Sequence, residues 1–147
     1  MSETGAGRSD PPRFALEPSV IDHTGISASN FVPGREFYRQ ALAPIGYTLL
    51  LELSASVTGG TEVAGFGEAP KPDFWIGKGE PNRPPIHVAF RVGERKLADA
   101  FHRAALAAGG RDNGAPGIGA HYHPDYYGAF VLDPDGHNIE MVCHAPA

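Results

Sequence analysis

Two histidines and one glutamate carry the chemistry this 147-residue chain could perform. His23 sits in Val20-Ile21-Asp22-His23-Thr24-Gly25-Ile26-Ser27, and His87 in Pro85-Ile86-His87-Val88-Ala89-Phe90-Arg91-Val92. The second stretch alternates strictly, so Ile86, Val88, Phe90 and Val92 share one strand face and His87, Ala89 and Arg91 the other. Glu140 follows the turn Asp133-Pro134-Asp135-Gly136, in Asn138-Ile139-Glu140-Met141-Val142. There Ile139, Met141 and Cys143 share a face and Glu140 points away from them. A lone glutamate in an apolar strand is more often a solvated edge residue than a group with a task. Two histidines on equivalent strands change that balance. Imidazole, imidazole and carboxylate converging on one face form a facial-triad or His₂Glu metal set that leaves positions open for water or substrate oxygens.

The strands that would position this set belong to an internal repeat. A shift of 64 residues lays His23 on His87, Phe37 on Phe101, Arg39 on Arg103, Ala41 on Ala105, Leu42 on Leu106, Ala43 on Ala107 and Gly46 on Gly110. One register thus holds from strand through helix to the helix stop. Each copy reads β-α-β-β-β. The first has a strand near 20–27, a helix over 36–43, and strands near 47–53, 61–67 and 73–77. The second has a strand over 85–92, a helix over 94–108 stopped by Gly109-Gly110, an irregular glycine-rich stretch from 111 to 124, and strands over 126–132 and 138–144. Asp133-Pro134-Asp135-Gly136 suits a type I turn closed by a glycine bulge, a pairing that sets Phe130 opposite Glu140 with Tyr126 on the same face. Such a unit covers one sheet face with its helix. The fold class is therefore α+β, two βαβββ modules forming a curved mixed sheet with helices outside and a concave site inside. The boundaries are a tail at 1–19, a first module at 20–77, a linker at 78–84 and a second module at 85–147, within one structural domain.

His121-Tyr122-His123-Pro124-Asp125-Tyr126-Tyr127 is a dense run of imidazole and phenol groups. It reads equally well as a packed amphipathic loop or as acid–base and substrate-binding equipment, and His121 and Tyr126 are the catalytic candidates. His102 on its helix and His137 after the turn are expected at the surface. His144 shares parity with Glu140 and is a remote ligand candidate. Arg91, on the His87 face, could hold a substrate anion.

The motifs Ile21-Asp22-His23-Thr24-Gly25-Ile26, Phe37-Tyr38-Arg39-Gln40-Ala41-Leu42, Ile86-His87-Val88-Ala89-Phe90 and Asp133-Pro134-Asp135-Gly136-His137-Asn138-Ile139-Glu140 resemble the vicinal oxygen chelate superfamily. That group includes glyoxalases, extradiol dioxygenases, fosfomycin-modifying thiol transferases and bleomycin-binding proteins. The resemblance covers roughly residues 20 to 144. It implies His23, His87 and Glu140 as ligands of a divalent metal, Fe2+, Mn2+, Zn2+ or Ni2+, with the identity open. It implies lyase, isomerase or ring-cleaving dioxygenase chemistry on a small substrate with vicinal oxygens. The alternative is a metal-free antibiotic- or aromatic-ligand-binding protein, walled by Trp75, Phe130, Tyr126 and Tyr127. A fourth ligand would stand at Ile76, or at Trp75 after a one-residue slip, and neither can bind metal. The dioxygenase pattern expects tyrosine where Phe130 stands. A homodimer is expected, with the modules paired either within a chain or across two.

Composition narrows the partners. A net charge of -5 and no basic cluster argue against nucleic acid. No apolar run approaches the roughly 20 residues of a membrane span. The first residues lack the apolar segment of a signal peptide, so a cytoplasmic location is expected. The single cysteine, Cys143, rules out an internal disulfide and reads as core filler.

Overall fold

The computed structural model describes residues 20–147, so the expected tail at 1–19 lies outside the described residues. The first repeat folds as β1 (Thr24–Ala28), α1 (Phe31–Ala41), a 3-10 turn (Ala43–Ile45), β2 (Thr48–Leu53), a single-turn α2 (Ala55–Thr58), β3 (Val63–Gly67) and β4 (Phe74–Lys78). The second folds as β5 (His87–Val92), α3 (Arg95–Ala107), β6 (Arg111–Ile118), β7 (Tyr127–Leu132) and β8 (Asn138–Cys143). Each repeat makes its own four-stranded sheet, ordered β1-β4-β3-β2 and β5-β8-β7-β6. The first strand of each pairs in parallel with the last, and the other neighbours are antiparallel. The α+β fold of two βαβββ units is thus observed, as two mixed sheets rather than one continuous sheet.

The periodicity that marks the helices also buries them. Ala98, Phe101 and Ala105 fall at i, i+3 and i+7 on α3 and are fully buried, as are Phe37, Tyr38 and Ala41 on α1. Full burial of an aromatic such as Phe101 is worth about 1.5–3 kcal/mol. The two helices touch, and one core runs through both modules, with Phe74 against Phe90 at 5.2 Å between ring centres. Helix α1 begins five residues before the expected Glu36. Pro33 falls in its first turn, where a backbone N–H has no intrahelical acceptor to lose, and the Gly34 N–H bonds the Asn30 carbonyl at 3.0 Å, so neither breaks the helix.

Three expectations need correction. The stretch from Arg111 is not irregular, because it forms β6 against β7. It carries no alternation, and its pairing shifts register between Asp112 and Gly114 and again between Gly114 and Gly117. An edge strand tolerates such shifts, and it tolerates Pro116, because only one of its sides must hydrogen-bond. His137 is not at the surface but fully buried. Its Nδ1 accepts the Ile86 N–H at 2.9 Å, and its Nε2 lies 3.3 Å from the Ser27 carbonyl. His102 is likewise mostly covered, 3.0 Å from Asp112.

His137 belongs to a clasp between the modules. Asp133 Oδ1 accepts from the backbone N–H groups of Asp135 and His137, and Asp133 Oδ2 accepts from the buried Tyr38 hydroxyl of α1 at 2.5 Å. Burial, and then the Asp133 charge, raise the Tyr38 pKa well above its ordinary value, so Tyr38 stays a donor. The turn itself is as expected. Gly136 N–H bonds Asp133 O, Asp133 N–H bonds His137 O, and Gly136 takes φ of 88°, the left-handed slot of the bulge. That closure sets Phe130 opposite Glu140.

Candidate functional site

Strand β8 is central in its sheet, paired on one side by β5 and on the other by β7. Ala89 lies beside Glu140 on the first side and Phe130 on the second. Period-two geometry then gathers His87, Ala89, Arg91, Glu140, Val142 and Phe130 on one face, away from the core residues Ile139, Met141 and Cys143. Glu140 is only 2% exposed, although it faces away from that core. Two side chains cover it. His87 Nε2 lies 2.9 Å from Glu140 Oε1, and the Tyr126 hydroxyl donates to Glu140 Oε2. His87 itself remains half exposed. A buried carboxylate is costly unless each oxygen has a donor, and here each has one.

Tyr126 is placed by the segment before β7. Its N–H bonds His123 O, and its own carbonyl accepts from Gly119 N–H. Burial, and then the bond to Glu140, raise its pKa above the ordinary phenol value. Tyr126 is thus a donor in this site and not a base. His121 sits elsewhere. It is exposed, lies 4.0 Å from Tyr122 between ring centres with the rings tilted by 43°, and with Tyr122, Tyr126, Phe130 and Gly128 lines a cleft of about 270 Å³. Of the two catalytic candidates, the structure sets Tyr126 on Glu140 and His121 on the wall beside it.

His23 does not join this group within one chain. It precedes β1, is exposed, and its Nδ1 lies 2.7 Å from Asp22. The reason is the way the modules meet. The end of β1 reaches the start of β5, where Ser27 O meets His137 and His137 meets Ile86 N–H. The residues before β1 reach the end of β5, where Asp22, Thr24, Ala89 and Arg91 line one cleft of about 410 Å³. The two first strands therefore run in opposite directions past each other, and their leading histidines fall at opposite ends. Among the described residues, no group of three or more His, Cys, Asp or Glu side chains is disposed to hold a metal ion. His87 and Glu140 are a matched pair of donors, two of the three a facial triad needs.

Sequence reasoning gave little weight to a neighbouring pair. His123 Nε2 lies 2.8 Å from His144 Nδ1, with the rings stacked at 5.1 Å and Tyr126 edge-on to His144 at 5.5 Å. The parity of His144 with Glu140 marked one partner, and His123 stood out only as a member of the imidazole- and phenol-rich run from His121 to Tyr127.

Comparisons with known proteins follow this geometry. No protein-family model matches the sequence, and no curated protein matches it. Solved structures do. A glyoxalase/bleomycin resistance protein from Albidiferax ferrireducens superposes with a TM-score of 0.68 at 22% identity, over 86% of this chain and 100% of that one. The fold is that of the vicinal oxygen chelate proteins. The fosfomycin resistance protein FosX from Listeria monocytogenes, in complex with Mn(II) and a sulfate ion, matches with a TM-score of 0.62 at 14% identity, over 88% of this chain and 95% of that one. A glyoxalase I variant from Zea mays gives a TM-score of 0.60 at 18% identity, covering 86% of this chain and 45% of that one. This vicinal oxygen chelate fold is shared by enzymes and binding proteins, so the fold does not decide the chemistry. No helix among the described residues is long and apolar enough to cross a membrane.

Proposed function

We propose that this protein is a divalent-metal-dependent enzyme acting on a small substrate with adjacent oxygens, by lyase, isomerase or ring-cleaving dioxygenase chemistry. The observation that carries the reading is the buried Glu140 carboxylate, held between His87 and Tyr126 on the open face of the second sheet. Structural relatives include a Mn(II)-bound protein and a glyoxalase I. The donor chemistry suits a divalent cation, and one chain supplies His87 and Glu140. In this reading His23 of a second copy completes the set, which makes the protein a homodimer whose modules pair across the two chains. When bound, the metal would supply a Lewis acid for the substrate oxygens. Glu140 and His87 would hold it. Tyr126 fixes the second oxygen of Glu140 with its single hydroxyl proton, which holds the carboxylate in place. Phe130 and Tyr122 wall the cleft, and His121 on that wall is the group free to move a proton. The test is metal analysis of protein purified without chelator. Stoichiometric divalent metal in the wild type, lost in His87→Ala, supports the reading. Absence of metal, or equal metal in His87→Ala, defeats it.

One observation favours a second reading, a metal-free binder of an antibiotic or aromatic ligand. The cleft beside Tyr126 is lined by Tyr122, Tyr126 and Phe130, and the described residues of one chain bring together no complete donor set. Titration with bleomycin in EDTA separates the two. Saturable binding without metal favours the binder.

A further inference from the structure

We propose that Arg91, His144 and His123 form a subsite for an oxyanion carried by the substrate, beside Glu140 on the same face of the second sheet. The three line one cleft of about 550 Å³ with Ala145. Its role in turnover rests on the functional reading above, but its ability to bind an anion does not.

The hydrogen bonds fix which ring nitrogen is left to donate. The Asp125 N–H donates to His123 Nδ1 at 3.1 Å. That nitrogen therefore carries no proton, and His123 keeps its proton on Nε2. Nε2 in turn donates to His144 Nδ1 at 2.8 Å. His144 must accept there, so its own proton resides on Nε2, the one ring group it has left to offer. His123 is thus the positioning residue that fixes the His144 tautomer, and His144 is the donor. Arg91 adds a permanent positive charge and a planar fork of N–H groups suited to carboxylate or phosphate oxygens. It lies near enough that its charge helps lower the His144 pKa, after burial as the larger cause. His144 therefore binds as a neutral donor near neutral pH.

The placement fixes the size of the ligand. Arg91 is two residues along β5 from Ala89, which pairs with Glu140, so it stands roughly 7 Å beyond it. His144 is four residues beyond Glu140, roughly 13 Å along the strand. The Tyr126 ring fills the interval, bonded to Glu140 at its hydroxyl and edge-on to His144. A substrate about one ring or short chain in length, apolar in its middle and anionic at its far end, spans these groups.

The experiment is an NMR titration of the full chain in EDTA at pH 7.5, with inorganic phosphate and, separately, with acetate. The expected result is a saturable shift of the His144 and His123 ring signals with at least one anion, weakened tenfold or more in Arg91→Gln and, read on the His123 ring, in His144→Leu. Arg103→Gln, an exposed arginine of α3, should bind as the wild type does. Tighter phosphate binding identifies a tetrahedral dianion as the group recognised, and acetate binding of equal or greater strength identifies a carboxylate. No saturable shift with either anion, or equal binding by Arg91→Gln and Arg103→Gln, overturns the subsite. Because EDTA removes metal, this outcome is independent of whether His87 and Glu140 bind one.

Discussion

Trp75 occupies in the first sheet the position that Glu140 occupies in the second. Gly25 pairs with Trp75 as Ala89 pairs with Glu140, and Gly65 pairs with Trp75 as Phe130 pairs with Glu140. The offset between the modules is 64 residues at the first strands and 65 at the last, so the slip of one residue is real and Ile76 is not the equivalent. Ile76 is instead fully buried in the core. Gly65 makes room for the indole, since a Cβ there would lie 2.9 Å from two ring atoms of Trp75. The first module thus places an indole where the second places a carboxylate. Trp75→Ala should leave metal content unchanged while altering affinity for aromatic ligands. A loss of metal in that variant would mean that the first module's last strand shapes the metal centre after all.

If His23 of one copy completes the site of another, two inactive variants should rescue each other. His23→Ala and His87→Ala should each lose metal when purified alone. Mixed, unfolded and refolded together, they form heterodimers in which one site draws both histidines from intact positions. Random pairing then restores about a quarter of the wild-type metal content. A site built within one chain would give no recovery on mixing, and metal analysis against protein concentration reads the difference.

Tyr126→Phe removes the donor to Glu140 Oε2 and nothing else from the site. A buried carboxylate oxygen left without its partner costs about 1–3 kcal/mol. Urea unfolding of metal-free protein should show that loss as a lower midpoint with an unchanged slope. Tyr122→Phe is the comparison, because Tyr122 is 62% exposed and its hydroxyl is not engaged by Glu140. Equal midpoints for the two variants would show that the Tyr126–Glu140 bond contributes no stability.

The alternation around His87 and the apolar run around Glu140 were legible because strand periodicity is a local property. The match of Phe130 to Glu140 was legible too, since a three-residue bulged loop leaves one register. What was not legible depends on how the modules meet. Nothing in Asp133 or His137 says that one takes the Tyr38 hydroxyl of α1 and the other the Ile86 N–H of β5. A histidine after a turn looks solvated until a second module covers it. The separation of His23 from His87 has the same origin. Equivalent strands put equivalent residues on equivalent faces, but whether those faces converge depends on the direction in which β1 and β5 pass. Strand β6 was hidden for another reason, because Gly114, Pro116 and Gly117 erase the alternation that reveals a strand.

The His144 ring offers a pH test. Its pKa lies below the ordinary 6.5, first through burial, then through Arg91 and His123, with Glu140 pulling the other way. Tyr126, edge-on to the ring, is uncharged in this range. In the unfolded chain His144 takes up its proton near the ordinary value. Between that value and the lower folded one, the unfolded state binds more protons, so stability rises with pH. The contribution is fully present above about 6.5 and is lost as pH falls through the folded pKa. His144 is only partly buried, so the energetic effect is small and the titration itself is the better readout. Its ring protons should titrate below 6.5 in the native protein. Arg91→Gln should move the midpoint up toward that value, and His144→Gln should flatten the urea midpoint between pH 5 and 7 relative to the wild type. A wild-type midpoint above 6.5 would mean that Glu140 outweighs burial and Arg91, and that His144 enters the cleft as a cation rather than as a neutral donor.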